Sequence, residues 1–117
     1  VFIAYQGYVT NGLKFAKSVD GGASWQIQTL NATNYYDSIS LDAIDANTIF
    51  IGSYVNLSPA SAYVAKSTDG GQTWTKEIIE GSRGVSMSLS APNQNKIFMS
   101  FLNITNTGYV LEMAVYG

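Results

Sequence analysis

The stretch Lys17-Ser18-Val19-Asp20-Gly21-Gly22-Ala23-Ser24-Trp25 returns 49 residues later as Lys66-Ser67-Thr68-Asp69-Gly70-Gly71-Gln72-Thr73-Trp74. The period holds on either side. Ser38-Ile39-Ser40-Leu41-Asp42-Ala43 corresponds to Ser86-Met87-Ser88-Leu89-Ser90-Ala91, and Asn47-Thr48-Ile49-Phe50-Ile51 to Asn95-Lys96-Ile97-Phe98-Met99, both 48 apart. Val1-Phe2-Ile3 extends the series backwards, so Phe2, Phe50 and Phe98 hold one repeat position three times. The chain thus carries about two and a half copies of a unit near 48 residues, a period at which repeat architectures built from four strands fall.

Within the unit, apolar residues alternate with small or polar ones over short runs bounded by Gly, Asn, Asp and Pro, the period of a strand rather than a helix. Four strands are expected per unit: A at Ser38 to Ala43 and Val85 to Ala91, B at Thr48 to Tyr54, C at Tyr63 to Ser67, and D at Trp74 to Ile79. The A strands set Ile39 and Leu41, or Met87 and Leu89, against serines that suit a crowded central position. The order is B-C-D, A-B-C-D, A-B-C, with Tyr109 to Tyr116 as the third C strand. This divides the chain into a partial unit at 1–36, a complete one at 37–83 and a partial one at 84–117. The third turn, after Ala114-Val115-Tyr116-Gly117, is expected to be degenerate or cut off, and the lack of an initiator Met gives the chain the look of a processed or excised piece.

Composition narrows the function. Of 117 residues, 46% are hydrophobic and only 12% charged, against roughly 25% in an average soluble domain. With 6 basic residues against 8 acidic ones, the net charge of −2 leaves no basic stripe for phosphates, so no nucleic acid partner is expected. Zero Cys and zero His remove disulfides, thiol chemistry, His-based triads and the commonest metal ligand. No cofactor and no metal are expected, nor is a membrane span, because no apolar run approaches the ~18 residues a spanning helix needs. The polar residues are mostly Ser, Thr, Asn and Tyr, a mix that suits an extracellular or cell-surface β-protein.

The repeated turn has a physical reading of its own. Asp20 or Asp69 can accept backbone N–H bonds across the reversal, and the paired glycines supply the positive φ of a tight turn. Trp25 or Trp74 then opens strand D with a large apolar surface. These two segments resemble the Asp-box, or BNR repeat, of sialidases and related β-propellers, matching it in Ser18, Asp20, Gly22, Ser24 and Trp25 and again in Ser67, Asp69, Gly71, Thr73 and Trp74. The resemblance implies an all-β fold, a propeller arc of about two and a half four-stranded blades. It also implies that the boxes sit on the turn between the third and fourth strands, at the rim and away from any active site, so Asp20 and Asp69 are structural. An isolated carboxylate among glycines lacks the ligand number a hard cation needs. Activity does not follow from the resemblance, because such propellers include sialidases, xyloglucan-degrading hydrolases, sortilin-type receptors and a photosystem assembly factor.

In a propeller, ligands gather where the D-to-A and B-to-C loops open at one end of the channel. The D-to-A loops here are Leu30 to Asp37 and Glu80 to Gly84; the B-to-C loops are Gln6 to Gly12, Val55 to Ser61 and Asn103 to Gly108. Rings and amides on loops suit sugars, which offer apolar C–H faces and hydroxyls together. The candidate ligand-binding residues are Tyr35, Tyr36, Asp37 and Asn34 of the first D-to-A loop, Arg83 of the second, and Tyr8 of the first B-to-C loop. The competing reading packs Tyr35 and Tyr36 between blades and leaves Arg83 in solvent. One Arg cannot make the arginine triad of a sialidase. Of the acids near the A strands, Asp42 and Asp45 correspond to Ser90 and Asn93 and read as strand-end and turn residues, so no catalytic pair is expected and no catalytic residue is assigned. Three sequons at Asn31, Asn56 and Asn103 fall in the expected loops.

Two and a half blades leave interblade faces and strand edges exposed, so further blades from a longer parent chain or from homo-oligomer copies are expected to cover them. Two functions remain open: a non-catalytic propeller segment that binds a glycan or an extracellular protein, or part of a glycoside hydrolase, sialidase-like or xyloglucanase-like, whose catalytic acids lie partly elsewhere.

Overall fold

The structure is a computed structural model that describes residues 1–8, 12–56, 61–79 and 84–116. Its secondary structure is all β. Among the described residues ten strands follow in chain order: β1 (Phe2–Gln6), β2 (Leu13–Lys17), β3 (Gln26–Asn31), β4 (Tyr36–Ala43), β5 (Ile49–Val55), β6 (Ser61–Ser67), β7 (Thr75–Ile79), β8 (Gly84–Asn93), β9 (Lys96–Thr105) and β10 (Gly108–Tyr116). They form three antiparallel sheets, β1-β2-β3, β4-β5-β6-β7 and β10-β9-β8, so each sheet is a run of neighbours in sequence. No described helix is long and apolar enough to cross a membrane.

The strands lie close to where the alternation put them, although β3, β6 and β8 run up to two residues past the expected bounds, to Asn31, from Ser61 and to Asn93. Two further differences touch the expected loops. β4 starts at Tyr36 instead of Ser38, because Tyr36 pairs with Val55 and its N–H donates to Gln6 Oε1 at 2.9 Å. The expected loop from Asn103 to Gly108 is mostly strand, since β9 and β10 continue to a two-residue turn at Asn106 and Thr107. The sequon at Asn103 is therefore in a strand.

The middle sheet is buried on both faces along β5 and β6. Leu13, Phe15 and Leu30 of the first sheet pack against Tyr36, Ile49, Ile51, Val55, Tyr63 and Ala65. The alternate residues Phe50, Ala62 and Val64 pack against Met87, Leu89, Ala91, Ile97 and Met99 of the third sheet. Period 2 thus sorts the two contacts, and the side chains of β5 and β6 are almost continuously buried. Gly52 faces Leu89, where a Cβ would stand 2.9 Å from Leu89 Cδ1.

The A strands of neighbouring repeats, β4 and β8, also bond directly. Ser86 N–H donates to Ser38 Oγ at 2.9 Å, Leu89 N–H to Ser40 Oγ at 3.1 Å and Ala91 N–H to Asp42 Oδ2 at 2.8 Å. The A-strand serines therefore serve as acceptors for the backbone of β8 as well as being small. Ser38 and Ser86 both have positive φ, 51° and 62°, next to register shifts in β4 and β8.

The two Asp-Gly-Gly turns are built alike. Ser67 Oγ donates to Asp69 Oδ1 at 2.8 Å and accepts Gly71 N–H at 2.8 Å, while Thr73 N–H donates to Asp69 Oδ1 at 2.9 Å and Thr73 Oγ1 to Asp69 Oδ2. Ser18, Asp20, Gly22 and Ser24 repeat this set of bonds. Trp25 Nε1 donates to Gly22 O at 3.0 Å, and Trp74 Nε1 to Gly71 O at 3.1 Å. The four turn glycines have φ between 72° and 97°, a conformation costly for any residue with a Cβ. The turns differ in surroundings: Trp74 packs edge-on to Phe15 of the preceding sheet at 4.9 Å, whereas Trp25 remains 37% exposed.

These hydrogen bonds hold the Asp69 carboxyl down, from 3.8 to about 2, with the Thr73 hydroxyl the largest contributor. Asp20 is lowered in the same way, chiefly by the Ser24 hydroxyl. A carboxyl whose folded pKa is depressed contributes stability above its unfolded pKa and loses it as pH falls through the folded value. The Tm is accordingly expected to drop between about pH 4 and pH 2, and Asp69→Asn to show a smaller drop when melting is followed by circular dichroism. A second comparison isolates the packing of the turn. A Cβ on Gly71 would stand 2.4 Å from Phe15 Cε1, whereas on Gly22 it would meet only Trp25 Cζ2 at 3.6 Å. Gly22→Ala should cost about 1–2 kcal/mol for the backbone alone, and Gly71→Ala about 2–4 kcal/mol once the clash is added, as read by urea denaturation.

Candidate functional site

The end of β1, the segment joining β3 to β4 and the start of β4 meet around a cleft of ≈ 580 Å³ lined by Gln6, Tyr8, Tyr35, Tyr36, Asp37, Ser38 and Ile39. Two sheets contribute; one bond links them, and two more hold the start of β4 to β5. Gln6 Oε1 takes the Tyr36 N–H at 2.9 Å, and Asn56 N–H donates to Tyr35 O at 3.0 Å. Below them Ser53, fully buried, donates from Oγ to Asp37 O at 2.9 Å. Asn31 shapes the connecting segment: its Oδ1 accepts the N–H groups of Thr33 at 2.9 Å and Asn34 at 3.3 Å.

Four of the six sequence candidates share this cleft, but their side chains differ in kind. Tyr8 is 99% exposed and Tyr35 49% exposed, so both offer ring faces to a ligand. Tyr36 is only 2% exposed; its ring sits in the core between the first and middle sheets, edge-on to Tyr63 with centroids 5.1 Å apart. Burial pushes the Tyr36 phenol up, against a hydrogen bond from the Asn34 side chain that acts to lower it. Asn34 therefore acts on the site through Tyr36. Tyr63 is pushed up further, by its own burial and by the neighbouring Tyr36. Neither phenol is a phenolate near neutral pH. Arg83 lies outside the described residues.

Asp37 is exposed in the cleft and accepts the Ser38 N–H on Oδ1 at 2.7 Å. The other acids near the A strand are committed elsewhere. Asp42 accepts the N–H groups of Ala43 at 2.9 Å and Ala91 at 2.8 Å. Asp45 accepts those of Asn47 and Thr48, each at 2.7 Å, which hold its carboxyl below the ordinary range, Thr48 contributing most. Asp37 is thus the one carboxylate among the residues that line the cleft, which also include the exposed rings of Tyr8 and Tyr35. Among the described residues no group of three or more Asp, Glu, His or Cys comes together.

Sequence reasoning did not single out Gln6, Ser38 or Ile39. Gln6 stands at the edge of the first B-to-C loop, and the signal for Ser38 is its recurrence as Ser86, which by itself speaks only of small size. Compared with known proteins, the chain matches no family, no curated protein and no solved structure.

The burial contrast between adjacent tyrosines is testable. Tyr36→Ala should cost about 3–5 kcal/mol, as large aromatic truncations in cores do, while Tyr35→Ala should stay within about 0.5 kcal/mol, both measured by chemical denaturation.

Proposed function

We propose that this chain is an arc of an extracellular β-propeller of the Asp-box kind, and that the cleft between Tyr8, Tyr35 and Asp37 binds carbohydrate without hydrolysing it. Support for the arc comes from three antiparallel sheets of three, four and three strands, the second and third joined by bonds between residues 48 or 49 apart. In this reading Asp20 and Asp69 are structural, since each carboxylate is spent on the bonds of its own turn.

The single observation that carries the ligand class is the placement of two exposed tyrosine rings beside an exposed carboxylate and the Gln6 side chain in one cleft. A sugar stacks its C–H face on a ring and gives its hydroxyl protons to a carboxylate or amide oxygen, so this donor and acceptor set matches its surface. Binding is favoured over hydrolysis because Asp37 is the one carboxylate among the residues lining the cleft, and glycoside hydrolysis takes two. Further blades, from a parent chain or from other copies, would close the ring.

The test is a glycan array with the protein and its Tyr35→Ala and Asp37→Asn variants. Selective binding of one glycan class, reduced at least about tenfold (about 1.4 kcal/mol) by either substitution with Tm unchanged, is the expected result. Binding of no glycan, with a protein captured through the same residues, would replace carbohydrate by a protein ligand.

A further inference from the structure

The turn ending in Trp74 has a seat, and the structure holds that seat twice. In the first instance Gly70 N–H donates to Asn47 O at 2.9 Å, Lys17 Nζ donates to Gly70 O at 3.0 Å, and Trp74 packs on Phe15. Lys17 is itself poised by its strand partner Phe2, whose ring lies 6.0 Å below Nζ. One repeat later the frame recurs. Lys66 pairs with Phe50 across β5 and β6, and its Nζ stands 5.4 Å over the Phe50 ring. Asn95 takes the place of Asn47: its N–H donates to Asn93 Oδ1 at 3.0 Å, as that of Asn47 donates to Asp45 Oδ1 at 2.7 Å.

What differs is the occupant. In the first frame Gly70, Gly71 and Gln72 form one wall of a groove of ≈ 420 Å³. In the second no turn is seated among the described residues, and a groove of ≈ 620 Å³ lies open between Phe50, Lys66, Thr75, Glu77, Asn95 and Ile97. Lys66 Nζ, whose counterpart reaches the turn, donates to Gln94 O at 2.6 Å. In the same repeat β10 is an edge strand, whereas its counterpart β6 is paired on both sides. Along it Tyr109, Leu111, Met113 and Val115 are exposed. An unpaired edge with exposed apolar side chains is a template for an added strand.

We propose that this groove and the edge of β10 form one docking site for a peptide segment with the chemistry of Asp69–Ile79: a carboxylate-capped Gly-Gly turn, a Trp, and a strand that adds antiparallel to β10. The proposal rests on the repeated frame and is independent of what the tyrosine cleft binds. It also fixes a register. Val115 lies opposite Phe98 as Lys66 lies opposite Phe50. The observed pairs Lys66 with Thr75, Val64 with Glu77 and Ala62 with Ile79 therefore transpose to Val115 with Thr75, Met113 with Glu77 and Leu111 with Ile79.

A fluorescently labelled synthetic peptide of residues 69–79, titrated into the intact protein, tests the site by anisotropy. Saturable one-to-one binding, weakened at least tenfold when the peptide carries Trp74→Ala, is expected. Because the chain has no cysteine, a Glu77→Cys peptide should form a disulfide with a Met113→Cys protein and not with a Tyr109→Cys protein, since only the former pair is in register. No saturable binding, equal binding of the Trp74→Ala peptide, equal cross-linking at position 109, or a self-associated protein that the peptide does not enter would each overturn the proposal.

Discussion

The contact between Trp74 and Phe15 is the joint on which the relation of the first two sheets depends. It exists because a carboxylate closes the turn before it. Asp69 gathers the hydroxyl of Ser67 and the N–H and hydroxyl of Thr73, and the Ser67 oxygen in turn receives Gly71 N–H, so the reversal is fixed by side chains of its own segment. That leaves Trp74 at a set position, its ring against Phe15 and its Nε1 within reach of both Gly71 O at 3.1 Å and Gln28 Oε1 at 3.2 Å. A half-buried charged group thereby governs an apolar contact it does not touch. Gly71 belongs to both halves of the device, since its positive φ makes the turn and its missing Cβ admits the Phe15 ring.

From that joint the core extends as two layers that share the middle sheet. The strands β5 and β6 send one set of side chains to the first sheet and the alternate set to the third, which leaves the middle sheet without a solvent face along these strands. Burial on both sides brings neighbouring A strands so close that side-chain oxygens of β4 replace water for the backbone N–H groups of β8. The cleft that carries the proposed ligand site is a by-product of the same arrangement. It opens where β1 ends against the start of β4, and its floor is the backbone that Ser53 and Gln6 hold.

Much of this could be read in the chain before any coordinates. Recurrence of the Asp-Gly-Gly-x-Ser/Thr-Trp stretch and of the Phe2, Phe50 and Phe98 positions gave the unit, and the strands of that unit fall near β1 to β10. The turn bonds were legible too, because Asx capping and glycine φ are local. Less legible was anything decided by a partner far along the chain. Tyr35 and Tyr36 are identical residue types side by side, and only strand alternation within a sheet not yet placed decides that one ring is buried against Tyr63 while the other faces the cleft. Gln6 was likewise invisible, since its importance rests on a bond to Tyr36, thirty residues on. The length of β9 and β10 was underestimated because Asn and Thr near residues 103–107 read as loop formers, although only Asn106 and Thr107 turn.

The bonds from Ser38 to Ser86, Ser40 to Leu89 and Asp42 to Ala91 have a consequence for how such a chain can change its length. Ser86 is the repeat equivalent of Ser38, 48 residues on, and Leu89 and Ala91 stand one residue beyond the equivalents of Ser40 and Asp42, 49 on, so every contact joins the A strand of one unit to that of the next. Duplication or deletion of one whole unit would present the same acceptors to the same donors, and the joints need not be reinvented. A change by any other length would set Ser38 against a residue of the wrong face. Unequal recombination is thereby channelled by stereochemistry into whole steps, and drift within a unit is left to the loops around the tyrosine cleft.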